Sequence, residues 1–254
     1  MSTKTSPSNP SPVSKVTSSE AKPQQVVLSA PTHVDKPQPT GQNAAILDAV
    51  NCQAESLQLL LKALTSPNSV RRATAAGALG RMMDVAAVPA LIEGLNDADA
   101  DVARETAASL GVLGSPAAVE PLIAVLNNRD GYFHSVVRIA ATHSLGQLRD
   151  PRAVVPLLNA IRDPIAEASA EAIRALALLP DSRILPAFLE VVRNEHSFYL
   201  ATTRRAAIFG LAQIGGKQAG CELRFVAGNQ WEDAAVRAAA IEANREGSTS
   251  TAGA

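Results

Sequence analysis

The segments RRATAAGALG (71–80), VARETAASLG (102–111), VRIAATHSLG (137–146), ASAEAIRALA (168–177) and TRRAAIFGLA (203–212) align without gaps. A shared leucine falls at Leu79, Leu110, Leu145, Leu176 and Leu211, in steps of 31, 35, 31 and 35 residues. Between these segments run others with their own signature: VPALIEGL (88–95), VEPLIAVL (119–126) and VVPLLNAI (154–161). Ser115-Pro116 and Asp150-Pro151 place a capping oxygen ahead of a proline at a first helical position, and Asp163-Pro164 opens a partner helix in the same way. Each unit therefore reads as two helices, and neither can bury its apolar stripe alone. Stacked neighbours bury a continuous core, which is the physical logic of a solenoid. The expected fold class is all-α, an α-solenoid (superhelix) of about five to six helix pairs.

Outward from the repeats the pattern changes. No Gly or Pro interrupts Ala44 to Leu64, where Ile46, Val50, Leu57, Leu61 and Leu64 mark one face and Asn43 is a good cap. A long opening helix follows, with a break expected near Asn51. Residues 1–42 hold eight Ser, seven of the sixteen Pro and five Thr with no aromatic, too little apolar surface to offset backbone entropy. They read as a disordered spacer, with Val26, Val27 and Leu28 as a docking strip in the competing reading. At the other end a degenerate sixth unit, VRAAAIEAN (236–244), reads as a closing cap. The domains expected are thus a tail at 1–42, a solenoid at 43–245 and a second disordered tail at 246–254.

Composition excludes several functions. Apolar residues make up 46% of the chain but aromatics only 3%, so the core must be built from close-packed Ala, Leu, Val and Ile. Twenty-three basic against twenty-four acidic residues give a charge of −1, which argues against nucleic acid or anionic membrane as partner. No apolar run approaches the roughly 20 residues of a membrane span. The start MSTKTSPSNPSP lacks the apolar core of a secretory signal, so a cytoplasmic location is expected. Cys52 and Cys221, far apart, form neither a disulfide framework nor a metal motif. Neither nucleophile-elbow, phosphate-loop nor zinc-protease motifs occur, so no catalytic residue, metal or cofactor is expected.

The pattern VR-x-A-A-x-x-x-L-G followed by D-P-x-A-V-x-P-L-x-x-x-L resembles the HEAT-like repeats of the phycobilisome lyase type, over about residues 55–245. The resemblance implies the solenoid fold, while relatives of this kind serve as scaffolds, adaptors, chaperone-like proteins and a few enzymes. HEAT-like di-iron hydroxylases carry repeated His-Glu pairs, but His134, His143 and His196 are each followed by Ser, so that activity is discarded. The leading expectation is a non-enzymatic scaffold that binds a protein or peptide on its concave face and insertion edge. The alternative, implied by the resemblance, is a bilin- or tetrapyrrole-binding lyase or chaperone subunit. Self-association through the same surface stays open.

Two places carry the candidate residues. The longer steps reflect four-residue insertions in RDGYFHSVVR (129–138) and EHSFYLATTR (195–204), which hold four of the eight aromatics. Under a 66-residue shift Tyr132 falls on Phe198, Phe133 on Tyr199 and Arg138 on Arg204, with His134 and His196 beside them. One aromatic of each pair should turn inward, and the other either plugs a gap or anchors a partner. The second place is a pair of lanes beside the shared leucine. Gly77, Ala108, His143, Arg174 and Phe209 form one, and Ala73, Arg104, Ile139, Ala170 and Arg205 the other. Arg104, His143, Arg174, Arg205 and Phe209 together suggest a mildly basic groove, against the reading of scattered solvated positions. Asp97, Asp99, Asp130 and Asp163 at inter-helix turns can pair with Arg72, Arg138 and Arg204 as a turn-stabilising ladder. Trp231 and Phe225 are expected to seal the last layer.

Overall fold

The computed structural model describes residues 41–127 and 134–251, with side chains over 52–127 and 134–245. From Ile46 onward the chain forms one unit, distinct from Met1–Ala45. Most of the Ser/Pro/Thr-rich segment 1–42 and the insertion residues 128–133 lie outside the described residues. The opening helix α1 (Gly41–Ala63) starts ahead of Asn43 and runs through Asn51 without a break. It lays Leu57, Leu60 and Leu61 against the core.

The repeat segments become one row of helices: α2 (Ser69–Met82), α4 (Ala100–Leu113), α6 (Ser135–Leu148), α8 (Ala166–Leu176), α10 (Ala201–Ile214) and α12 (Ala234–Thr251). A second row holds α3 (Val88–Gly94), α5 (Val119–Asn127), α7 (Val154–Ala160), α9 (Ile184–Arg193) and α11 (Gly216–Gly228). Short polar side chains start several of these helices. The Asn68 carboxamide accepts from the Arg71 N–H at 3.1 Å, and Asp99 accepts from Asp101 at 3.0 Å. Gly114 at φ 68° ends α4 in the left-handed region, where a Cβ would be strained. Asp150 caps a 3-10 turn ahead of α7 as expected, whereas the Ser115 hydroxyl makes no cap bond. Asp163-Pro164 does not open α8, which begins at Ala166. The Asp163 carboxylate instead accepts from the Ile165 N–H at 2.9 Å.

The five shared leucines are all fully buried between the rows. Neighbouring first-row helices touch through small residues. A Cβ on Gly80 would stand 2.6 Å from the Ser109 hydroxyl, one on Gly111 2.5 Å from Ser144, and one on Gly146 2.9 Å from the Ala175 backbone. Hydroxyls stitch the same seam: Ser109 donates to the Ala76 carbonyl at 2.9 Å and Ser144 to the Ala107 carbonyl at 2.8 Å. Second-row helices, several of them shorter, meet one another far less than first-row helices do. Phe188, fully buried, lays its ring over Gly210.

A ladder of ion pairs crosses alternate turns. Arg72 grips Asp97 through two contacts of 2.7 Å, and Asp97 in turn accepts from the Asp99 N–H at 2.9 Å. Arg138 meets Asp163 at 3.3 Å with both side chains buried. Arg204 grips Glu232 at 2.7 and 2.8 Å and also donates to the Val192 carbonyl. The ladder matches the turn-stabilising reading, with Glu232 completing its last rung. In the intervening layer Ser169 meets Thr203 at 2.7 Å instead.

The C-terminal end departs from expectation in two ways. Helix α12 continues to Thr251, through most of the stretch read as a tail, which contains no proline to stop it. Trp231 and Phe225 do not seal the last layer: they are 87% and 70% exposed. Ala219, Leu223 and Val226 of α11 with Val236, Ala239 and Ala240 of α12 already close that layer, leaving no gap for a large ring. In α12 Asn244 and Arg245 stand where α6 has Leu145 and Gly146.

Two outcomes follow from this packing. Gly111→Ala should destabilise by about 1–3 kcal/mol through overpacking, while Gly228→Ala, helical with open space at its Cβ, should hold or slightly raise the thermal midpoint. Equal melts by circular dichroism would contradict the close seam. The second concerns acid. Hydrogen bonding from Arg72 holds the Asp97 carboxyl below its ordinary range, and Arg204 does the same for Glu232. Folding therefore disfavours protonation. The pairs stabilise fully above the unfolded-state pKa of about 4, and that stabilisation fades as pH falls through the lowered values. An Asp97→Asn, Glu232→Gln variant should melt lower than wild type at about pH 6 and converge on it at about pH 3. Parallel pH profiles would show that the pairs contribute nothing.

Candidate functional site

On the first-row face, α6, α8 and α10 enclose a groove of about 610 Å³. Its floor is apolar, with Ala175, Ala177, Leu178, Ala206 and Phe209, and its rim carries His143, Glu171, Arg174, Thr202, Arg205 and Gln213. The helical period places these side chains together, because positions two and six before each shared leucine lie on one helix face.

Glu171 organises the rim. It is buried, and its two oxygens hold different neighbours: His143 Nδ1 at 2.8 Å and Arg174 Nε at 2.7 Å. The Gln147 side-chain amide lies 3.1 Å from His143 Nε2. With that amide donating to Nε2, Nδ1 carries the proton and donates to Glu171, so a neutral imidazole satisfies both contacts. Arg205 differs from its neighbours. It is exposed on the groove and, among the described residues, makes no ion pair. Phe209, 36% exposed, stands one helical turn further along α10. The arrangement can accept an extended apolar ligand and pair an acidic group on it with Arg205.

The structure thus brings His143, Arg174, Arg205 and Phe209 together but leaves Arg104 out. Arg104 lies in a separate depression between α2 and α4, where Glu105 at 2.9 Å and Asp101 at 3.5 Å neutralise it. Ala170 is buried rather than lane-facing. Glu171 was missed by sequence reasoning although a signal existed: Glu105 and Glu171 are the sole carboxylates within the five aligned segments, and each neighbours an arginine.

At the insertion edge the outcome is mixed. Tyr132 and Phe133 lie outside the described residues. Phe198 is exposed while Tyr199 packs against the core, the inward–outward split expected of such a pair. The two rings meet edge to face, centroids 5.0 Å apart at 85°. They line a depression of about 300 Å³ with Arg162, Glu190, Asn194, Glu195 and His196. His134 and His196 are exposed. Arg138 and Arg204 are corrected: both are buried in the ladder and cannot serve as an open binding edge, because a guanidinium packed against a carboxylate in the turn has no face left for a partner.

Among the described residues no group of three or more His, Cys, Asp or Glu side chains converges as a metal site, and no helix is long and apolar enough to cross a membrane. Residues 34–110 and 88–177 each match the family model of HEAT repeats. The chain belongs to the HEAT-repeat family. One relative of these HEAT repeats is the phycocyanobilin lyase subunit alpha of Synechococcus elongatus (strain ATCC 33912 / PCC 7942 / FACHB-805), 40% identical over 103 residues. That stretch is 38% of this chain and 34% of the relative, so the chain spans about a third of the relative's length. Among solved structures, an engineered protein shares the HEAT-like fold at TM-score 0.52 and 21% identity, over 76% of this chain and 96% of that one. The complex of CpcE and CpcF of phycocyanin lyase from Nostoc sp. PCC7120 aligns at TM-score 0.45 and 20% identity, over 87% of this chain and 92% of that one. The expectation of a non-enzymatic scaffold is corrected by the curated relative, which is by name a subunit of a lyase. The match agrees with the alternative reading and not with the main one.

Proposed function

We propose that this HEAT-repeat chain is a bilin lyase-type enzyme subunit that binds a linear tetrapyrrole as substrate in the groove of α6, α8 and α10 and works in the cytoplasm with a protein partner. The observation that carries the reading is the uncommitted Arg205 beside an apolar floor and the Phe209 ring, in a groove of about 610 Å³. That volume lies within the range of small-molecule sites. The 40% identity to a phycocyanobilin lyase subunit supports the same ligand class.

A linear tetrapyrrole is a long conjugated plane with two propionate side chains. The Ala, Leu and Phe floor suits the plane, since burial of apolar area is the non-directional part of the affinity. Arg205 suits one propionate, because a guanidinium pairs with a carboxylate through two parallel N–H donors. Arg174, tethered to Glu171 at 2.7 Å, presents its remaining donors from a fixed position and suits the second. His143, held by the same carboxylate, sets a polar wall at one end of the groove.

Purified protein titrated with biliverdin should induce visible-range circular dichroism, and biliverdin dimethyl ester should bind roughly tenfold more weakly for loss of its charged hydrogen bonds. Arg205→Gln, which removes one of the two arginine contacts, should weaken biliverdin binding part of the way toward the ester's affinity. No induced signal from either pigment would overturn the tetrapyrrole reading, and equal binding of acid and ester would overturn the role of the arginines.

A further inference from the structure

The depression at the α7–α9 edge, on the second-row side and apart from the groove, has a composition that the tetrapyrrole reading does not use. It is walled by Phe198 and Tyr199, rimmed by Glu190, Glu195, His196 and Arg162, and measures about 300 Å³. The loop that builds it is held in shape. Asn194 ends α9 at φ 47°, its side-chain amide donates to the Tyr199 carbonyl at 3.0 Å, and its carbonyl oxygen accepts from the Tyr199 N–H at 2.8 Å. The Tyr199 hydroxyl donates to Glu190 at 3.3 Å, which fixes the ring from its far end. Phe198 then stands at 85° to that ring and is 59% exposed, so the two rings form a right-angled corner open to solvent.

The charges around this corner are unequal in their commitments. Arg162 is neutralised by Glu190 at 2.8 Å, and Arg193 by Glu222 at 2.8 Å. Glu195 is exposed and, among the described residues, makes no ion pair; it acts on Arg193 only through space. An open aromatic corner with one unpaired carboxylate is complementary to a cation. Ring faces attract ammonium and guanidinium groups within about 6 Å, and the carboxylate supplies the counter-charge. Two further depressions, of about 330 and 350 Å³, adjoin the corner through Arg162, Leu158, Glu190 and Tyr199. The edge is therefore long enough for an extended segment and not just one side chain.

We propose that this corner receives a lysine or arginine side chain of a protein partner, with Phe198 and Tyr199 as its walls and Glu195 as its counter-ion. The site is separate from the tetrapyrrole groove and stands or falls independently of it. The partner it fits is a polypeptide segment with a basic residue at its anchor position and polar neighbours that lie along the adjoining depressions, where Asn127, Asn159 and Arg183 stand.

The test is nuclear magnetic resonance of the ¹⁵N-labelled full chain titrated with N-acetyl-arginine amide, N-acetyl-glutamine amide and N-acetyl-glutamate amide at matched ionic strength. The arginine probe should give saturable shifts confined to the amides of Asn194–Leu200, which the neutral and acidic probes do not. Phe198→Ala and Glu195→Gln, both at exposed positions, should each weaken that binding about three- to fivefold. Shifts that are absent, alike for the three probes, or unchanged in both variants would overturn the proposal.

Discussion

The structure depends on how closely one row of helices approaches itself. Gly80, Gly111 and Gly146 sit where the next helix brings a serine or alanine closer than any Cβ could approach without a clash, so the first row packs on small residues and backbone. Interiors packed this densely transmit strain and tolerate little added volume. The alternation of rows follows from that seam. Leucines fill the space between the rows, and the second-row helices touch one another much less than the first-row helices do. The groove of α6, α8 and α10 is lined by first-row helices and not by any special loop.

Most charged groups in the repeats serve this architecture. Arg72 and Arg204 hold the turns through carboxylates, and surface pairs such as Arg183 with Asp181, whose carboxyl is lowered to about 2 by the hydrogen-bonded guanidinium, do the same locally. Exposed pairs of this kind add little to stability. Their greater effect is on what remains. Arg205 in the groove and Glu195 at the insertion edge are among the charges with no ion-pair partner in the described structure, and they are the ones that border an apolar or aromatic depression.

The helix pairs and their leucines were legible because a repeat states its own register: the shared leucine marks the buried side five times over. The ladder was legible for the same reason, since Arg72, Arg138 and Arg204 recur at a fixed interval beside turn carboxylates. The groove was half legible. His143, Arg174, Arg205 and Phe209 were found from one helix period, but Glu171 acts across helices, and pairing between neighbours is invisible to a single-helix pattern. Arg104 failed for the same reason, because Glu105 beside it answers its charge. Trp231 was misjudged because size was taken as a sign of burial, whereas alanines and valines had already filled the last layer. The function was misjudged by weighing the fold's many uses above the one resemblance that named a chemistry.

The substitution of Asn244 and Arg245 for the leucine and glycine of an inner unit has a consequence for assembly. A stack of like layers is an open-ended series, and a copy docking on its last layer would extend it without closure, the geometry that makes filaments. Continuing the first row beyond α12 would require a glycine-like approach at Arg245 and an apolar contact at Asn244. A long cation and a carboxamide at those points disfavour such an extension. The last layer thus differs in chemistry from the layers before it, and the exposed rings of Phe198 and Phe209 lie elsewhere, before and within α10.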